Sequence, residues 1–104
     1  MPKKPLETLS EAMFYVLMAL RHKEECCGVE IAQFAEDRSR GAVRIGPGTL
    51  YAILAKFLEE ELIEERNAEG RRRSYRLTAA GEKLYETELQ RLRRCIADAE
   101  EGRT

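Results

Sequence analysis

The spacing of apolar and polar positions along this chain predicts mostly helices. Thr8 and Glu11 have the spacing of a helix-capping pair and are followed by an apolar run, so we expect a first helix over about residues 8–22. Its circumference is apolar on most sides, which is typical of a helix buried against several neighbours. A polar break at residues 23–28 then precedes a second helix, predicted near residues 29–37.

Shorter segments with strand character lie between and after the helices. Val43 and Ile45 alternate with polar neighbours, a pattern compatible with one small strand. Two further strand-like runs, at residues 62–67 and 71–78, flank Ala68-Glu69-Gly70, whose glycine favours a tight turn. The runs at residues 62–67 and 71–78 therefore predict a β-hairpin.

A third helix is predicted from Pro47 to Leu62, and the outer side of its first turns is almost bare. Proline suits a first turn, but glycine there loses backbone entropy and packs against nothing. At about 100° per residue, the inward stripe comprises Leu50, Ile53, Leu54 and Phe57. The opposite side carries Gly48, Ala52 and Ala55. This favours an anionic partner at the positive helix N-terminus; the alternative is an ordinary surface helix with alanines for helix propensity.

The last helix is predicted to begin after Thr78, a suitable cap, and to reach about Glu101. Its apolar positions step by four and three residues, as in two coiled-coil heptads: Tyr85, Leu89, Leu92, Ile96 and Ala99. A helix of this length would span roughly 35 Å, more than a small domain is wide. We therefore expect these residues to form a dimer interface with a second copy. The alternative is a core helix that packs only on the first helix of its own chain.

Charge is distributed unevenly, although the net charge of the 104 residues is only −1. Residues 38–76 carry nine Lys or Arg and six acids, a local excess of +3. Four of these arginines lie in one six-residue stretch of the predicted hairpin: Arg71, Arg72, Arg73 and Arg76. Phosphates respond to such a local patch more than to the net charge. Helix and hairpin together thus suggest a nucleic-acid surface, whereas either alone could be ordinary solvated surface.

Several classes of function find no support. The chain has one histidine and lacks the residue sets of a metal site, a phosphate-binding loop or a catalytic triad, so we expect no cofactor, no metal and no enzyme. Its longest apolar run is far too short to span a membrane and no secretion signal precedes it, which predicts a cytoplasmic protein without a membrane partner. The odd number of cysteines argues against a disulfide framework and for three reduced thiols. A redox sensor involving Cys26, Cys27 or Cys95 is the alternative.

The element order predicts a mainly α fold with a small β-hairpin, namely a winged helix-turn-helix with a long C-terminal dimerisation helix. We expect residues 1–77 to form the DNA-binding domain with an N-terminal arm, and residues 78–104 to form the dimerisation helix and tail. Four segments resemble the PadR family of bacterial transcriptional regulators, in its short single-domain form: Leu9–Leu20, Gly28–Ile31, Gly46–Ile63 and Arg72–Leu84. The Gly-Thr-Leu-Tyr helix start combined with Tyr-x-Leu-Thr-x-x-Gly carries most of this resemblance.

The resemblance implies a homodimer that binds a near-palindromic double-stranded DNA operator and usually represses an adjacent gene. The recognition helix would be Pro47–Leu62, and its DNA-contacting residues would be Gly48, Thr49, Tyr51 and Lys56. The wing would cover residues 66–76 and contact phosphates or the minor groove through Arg71, Arg72 and Arg73.

The resemblance also implies release of DNA by a small hydrophobic effector, frequently aromatic or cationic, near the dimer interface. The pocket walls would be Ala12, Tyr15 and Val16 with Tyr85, Leu89 and Leu92; alternatively these side chains simply fill the dimer core. This chain departs from the family pattern at two points. Position 29 is Val where many relatives have a polar residue, and no tryptophan is present to stack on an effector. A further alternative keeps the fold and the dimer but makes the chain an adaptor for protein partners that does not bind DNA.

Overall fold

The computed structural model describes residues 9–67 and 73–102, which form a helical domain with one small sheet. The elements in this part of the chain are α1 (Glu11–Lys23), β1 (Cys26–Cys27), α2 (Gly28–Arg38), α3 (Pro47–Glu59), β2 (Ile63–Asn67), β3 (Arg73–Leu77) and α4 (Ala79–Glu100). The strands are antiparallel in the order β1-β3-β2. The predicted winged, mainly helical fold is confirmed. The hairpin turn at residues 68–70 lies outside the described residues.

Helix α1 begins later than predicted, because Ser10 is its cap. The Ser10 hydroxyl accepts a hydrogen bond from the backbone N–H of Met13 at 3.1 Å, and Ser10 itself has an extended backbone. The predicted start at Thr8 is therefore wrong, and Thr8 lies outside the described residues. Glu11 is the first residue of the helix, where the positive end of the helix dipole stabilises its negative charge.

The third strand lies where the sequence indicated only a polar break. Cys26 and Cys27 are buried and pair with Tyr75 and Ser74 of β3. The strand predicted around Val43 and Ile45 is wrong, although both side chains are buried in the core. The backbone N–H of Val43 donates to the Ser39 hydroxyl at 2.8 Å instead of joining a strand ladder. Alternation in that segment thus reflects burial of a loop against the domain.

The hydrophobic core lies where α1, α2, α3 and the sheet meet. Helix α1 supplies much of it, which agrees with its apolar circumference. The largest fully buried side chains are Phe57, Leu17, Leu20, Ile31, Leu54, Val16 and Cys26. Because these residues come from four elements, packing fixes the orientation of α3 relative to α2 and to the sheet.

Helix α3 ends at Glu59, three residues before the predicted end at Leu62. Glu61 adopts a left-handed backbone (φ 59°), and the N–H of Leu62 donates to the carbonyl of Phe57 at 2.9 Å. This closing pattern resembles the usual helix C-terminus in which a left-handed residue follows the last turn. The chain then turns directly into β2, so the wing is tied closely to the end of α3.

Helix α4 is capped by Thr78 as predicted, since the Thr78 hydroxyl accepts from the N–H of Gly81 at 3.1 Å. Its first half packs on α1, where the ring of Tyr85 stacks on Phe14 with centroids 5.2 Å apart. Residues 93–100 are exposed. The first half of α4 therefore shares the core of the preceding elements, and a domain boundary at residues 77/78 stays a prediction.

Candidate nucleic-acid interface

The N-terminus of α3 carries two glycines that the protein's own packing does not require. A Cβ built on Gly46 or on Gly48 would meet no other atom within 4 Å. Gly46, the N-cap, has an ordinary extended backbone with φ −72°. Neither residue has the left-handed conformation that favours glycine. The absence of side chains therefore leaves the helix backbone accessible from outside at this end.

The outer side of α3 is bare, as the helical spacing predicted. Thr49, Ala52 and Ala55 are exposed. The inward stripe (Leu50, Ile53, Leu54 and Phe57) is buried. Small exposed side chains on one face of a firmly packed helix allow that face to approach a large, flat or grooved partner closely.

Tyr51 connects the N-termini of α2 and α3. Its side chain is half exposed (52%), and its hydroxyl oxygen lies 2.8 Å from the position that a Cβ on Gly28 would occupy. Gly28 is buried, so its lack of a side chain makes room for the phenol ring. The surface groove of about 470 Å³ between the two helices includes Val29 and Arg44 in its lining. Tyr51 is thus held in place at the rim of this groove.

Lys56 lies on the C-terminal half of α3, away from the glycines. Its ammonium group is 3.5 Å from a carboxylate oxygen of Glu60, four residues later. Only 11% of the Glu60 side chain is exposed, so breaking this pair costs more than breaking a fully exposed one. Lys56 is therefore held near Glu60, and it does not form a cluster with Gly48, Thr49 and Tyr51.

The strand register places the wing's charged residues on two different faces. Tyr75 is opposite Glu65, and side chains two residues apart along a strand share a face, so Arg73 lies on the Tyr75 face. Arg76 and Glu64 lie on the other face. Burial is the main cause that raises the pKa of Tyr75, and the Glu65 carboxylate and Tyr51 of α3 raise it further. Tyr51 also lies against Gly28, next to Cys27, which pairs with Ser74 of β3, so this end of α3 lies beside β3. Arg71 and Arg72 lie outside the described residues.

Both described arginines of β3 form ion pairs with glutamates of β2. Arg73 Nε lies 3.1 Å from Glu65 Oε2, and Arg76 Nε lies 3.2 Å from Glu64 Oε1. Sequence reasoning counted the positive charges of the wing but missed these partners. The signal was present in the two adjacent glutamates of β2, but it required the hairpin register to become visible.

The predicted interface residues of α4 differ in exposure. Tyr85 is buried within its own chain on Phe14, and Leu89 and Leu92 are partly buried. Ile96 is 57% exposed, and Ala99 is exposed. The apolar seam thus begins in the core and continues onto the surface.

A cleft of about 380 Å³ lies between the start of α1 and the middle of α4. Tyr15 and Leu92 of the predicted effector pocket line it. Val16 has no exposed surface and belongs to the core, whereas Ala12 is partly buried beside it. The cleft and the predicted pocket therefore overlap only in part.

One residue of this cleft escaped the sequence analysis. Glu88 is 3% exposed, and its two carboxylate oxygens accept hydrogen bonds from Arg91 Nε and Nη2 at 2.9 and 2.6 Å. Burial of a carboxylate is tolerated when it is paired in this bidentate way. The three-residue spacing of an acid and an arginine on a helix was the available signal, but many exposed pairs share it.

Solved structures with a similar fold include transcription regulators. A PadR family transcription regulator from hypervirulent Clostridium difficile R20291 has a TM-score of 0.71 at 27% identity, covering 85% of this chain and 93% of that one. Bordetella bronchiseptica BpsR, whose DNA binding is regulated by 6-hydroxynicotinic acid, has a TM-score of 0.71 at 20% identity, covering 92% of this chain and 68% of that one. The similarity to BpsR shows a shared fold only.

Among curated proteins, the chain is 39% identical over 51 residues to an uncharacterized 37.1 kDa protein in transposon TN4556 of Streptomyces fradiae. The match covers 49% of this chain and only 15% of the length of that relative. No helix in residues 9–67 and 73–102 is long and apolar enough to cross a membrane.

The family assignment rests on the greater part of the sequence. The model of the transcriptional regulator PadR-like family matches residues 16–87, from the middle of α1 to the first turns of α4. These residues include the α3 start, the wing and the Thr78 cap described above. They support a DNA-binding regulator rather than an enzyme. The chain belongs to the PadR-like family of transcriptional regulators.

Proposed function

We propose that this chain is a homodimeric repressor that binds a near-palindromic operator in double-stranded DNA and controls an adjacent gene. The observation that carries the proposal is the bare N-terminal end of α3. Glycine occupies positions 46 and 48 although neither packing nor backbone conformation requires it there. A DNA backbone approaching this helix end would meet backbone N–H groups and the positive end of the helix dipole.

Residues around this helix end would supply the remaining contacts. Thr49 and Tyr51 carry hydroxyl groups on the exposed side of the first two turns. They can donate to phosphates or base edges, while the alanines behind them allow close approach to the groove floor. Lys56 would contact a phosphate further along after leaving its ion pair with the largely buried Glu60 carboxylate. The wing would add phosphate contacts through Arg71, Arg72 and Arg73.

Dimerisation through α4 would give the second half of the DNA site. Its exposed apolar positions, Ile96 and Ala99, continue a seam that the single chain covers only at its start. A twofold partner would bury them and place two copies of α3 on successive major grooves, as near-palindromic half-sites require. We also infer a cytoplasmic location, since the proposed operator lies in that compartment of a bacterial cell.

Effector control is a separate part of the proposal. The cleft lined by Tyr15 and Leu92 adjoins the proposed dimer seam, so a ligand there could change the spacing of the two α3 helices. The regulation of BpsR by 6-hydroxynicotinic acid supports a test with small aromatic compounds. The alternative is that these side chains fill the dimer interface and no effector binds.

The deciding experiment titrates the purified protein onto a labelled fragment from upstream of its own gene, at two salt concentrations. An unrelated fragment of equal length is the control. We expect tight binding to the upstream fragment that weakens steeply with salt, because phosphate contacts release counterions. Absence of binding to any DNA at low salt would contradict the proposal and favour the adaptor alternative. Fusion of the upstream fragment to a reporter then distinguishes repression from activation.

A further inference from the structure

We propose that Glu65 is an internal competitor of the DNA phosphate for Arg73, so that it sets how strongly the wing binds DNA of any sequence. This inference rests on the proposed DNA-binding function. It assigns to a glutamate of β2 a role opposite to that of the arginine it contacts. Glu65 would thus restrain the phosphate-driven part of binding and leave recognition to α3.

The geometry of the pair is that of a contact that can be exchanged. Arg73 Nε lies 3.1 Å from Glu65 Oε2, with 69% of the Arg73 side chain and 32% of the Glu65 side chain exposed. The guanidinium is therefore accessible to a second anion from the solvent side. The carboxylate is the less exposed member of the pair.

The position of the pair places it next to the proposed DNA-binding side of α3. Glu65 is opposite Tyr75 in the register, and Arg73 lies two residues from Tyr75 on the same face. Tyr51 of α3 lies against Gly28, the residue after Cys27, and Cys27 pairs with Ser74 of β3, the residue between Arg73 and Tyr75. After burial, Glu65 and Tyr51 raise the pKa of Tyr75, whereas Arg73 lowers it. A duplex seated on the bare end of α3 would therefore approach the Arg73–Glu65 pair.

Two consequences follow for DNA binding. A phosphate that contacts Arg73 must share the guanidinium with the Glu65 carboxylate or displace it, and in either case that carboxylate lies near the phosphate with the same sign of charge. Both effects oppose binding and neither depends on base sequence. Glu65 should therefore lower the affinity for operator and unrelated DNA alike, so that weak sites stay unoccupied at a given protein concentration.

Glu65→Gln is the direct test, because glutamine has nearly the same shape and lacks the charge. We expect affinity for both the upstream fragment and an unrelated duplex to rise by about three- to tenfold at low salt, and the gain to shrink as salt increases. The matched control is Glu64→Gln, the adjacent residue of β2. Glu64 is also paired with an arginine, at 3.2 Å, but lies on the opposite face. We expect it to change affinity by less than about twofold.

A double-mutant cycle with Arg73→Ala then tests whether Glu65 acts through Arg73. Arg73→Ala alone should weaken binding, and Glu65→Gln should add little in its presence. Thermal melting of each variant establishes that it is folded at the temperature of the titration.

The outcomes separate this inference from the proposed function. Equal affinities of Glu65→Gln, Glu64→Gln and the unmodified protein would overturn the competitor role of Glu65. A full gain that persists beside Arg73→Ala would overturn it as well, because the charge would then act without the arginine. Failure of the unmodified protein and all variants to bind any DNA would instead contradict the proposed function.

Discussion

Gly81, in the first turn of α4, lies directly against the carbonyl oxygen of Leu62, the residue before β2. A Cβ at position 81 would overlap that oxygen. The same carbonyl accepts a hydrogen bond from the N–H of Thr78 at 3.0 Å, so it cannot easily move aside. This contact joins the cap of α4 to the base of the wing. It gives a structural reason for glycine in the Tyr-x-Leu-Thr-x-x-Gly segment.

Gly81→Ala should therefore destabilise the fold. A methyl group forced against backbone atoms in a packed region costs about 1–3 kcal/mol, which in a domain of this size lowers the melting temperature by several degrees for each kcal/mol. Thermal or urea unfolding measures the effect. Unchanged stability would show that α4 can shift away from Leu62 without loss.

Gly48 gives the opposite expectation, because a Cβ there meets open space. Gly48→Ala should leave stability unchanged or raise it by up to about 1 kcal/mol, since alanine favours the helix. Gly48→Leu should also fold normally but weaken operator binding by about tenfold or more, equivalent to at least about 1.4 kcal/mol, because the side chain would hold α3 away from the DNA. Wild-type affinity of the leucine variant would exclude close docking of this helix end.

Tyr51→Phe separates the hydroxyl group of Tyr51 from its ring. The ring would stay packed at Gly28, so the melting temperature should change little, while operator affinity should fall by about 1 kcal/mol if the hydroxyl donates to DNA. Tyr15→Phe, in the cleft beside α4, is the matched control for loss of a phenol hydroxyl. If both variants bind DNA like the unmodified protein, the Tyr51 hydroxyl makes no contact.

The sequence allowed prediction of the elements that carry their own periodicity or cap. The buried stripe of α3 follows from helical spacing, and the Thr78 cap from a single suitable side chain before a helix. The strand at Cys26 and Cys27 was not predictable in this way. It has only two residues and forms because β3 offers an edge for pairing, which is a tertiary effect.

The candidate site was predictable to a similar degree. Exposure of Ala52 and Ala55 followed from their positions on the helix. The Arg73–Glu65 pair did not, because it depends on which residues of two strands face each other. The distribution of charged residues along the chain predicts the sign of the charge on a surface, whereas the partners of each charged residue are determined by strand register and packing.

Ile96→Glu tests the proposed dimer. Ile96 is 57% exposed in the single chain, and a glutamate there should not affect the fold of one copy. It would place a charge at the apolar seam between two copies and raise the dimer dissociation constant by about tenfold or more. Sedimentation equilibrium measures the change. Gln90→Glu, with the same change in charge on the opposite side of α4, should have little effect; equal effects would exclude this seam.

Cys26 gives a prediction for alkaline pH. Burial, followed by the Glu30 carboxylate, raises the pKa of the Cys26 thiol from its ordinary 9.0 to about 11. The folded state therefore keeps the proton at pH values where the unfolded chain begins to lose it. This contribution to the free energy of unfolding is complete below about pH 9 and is lost as the pH rises toward about 11.

Unfolding by urea under reducing conditions, repeated at several pH values from neutral to alkaline, should show this loss. The raised pKa of Tyr75 acts in the same direction. Cys26→Ala should reduce the loss of stability between pH 9 and about 11, whereas Cys95→Ala, at an exposed position, should leave it unchanged. Parallel pH profiles for Cys26→Ala and the unmodified protein would show that the Cys26 thiol does not determine the alkaline stability.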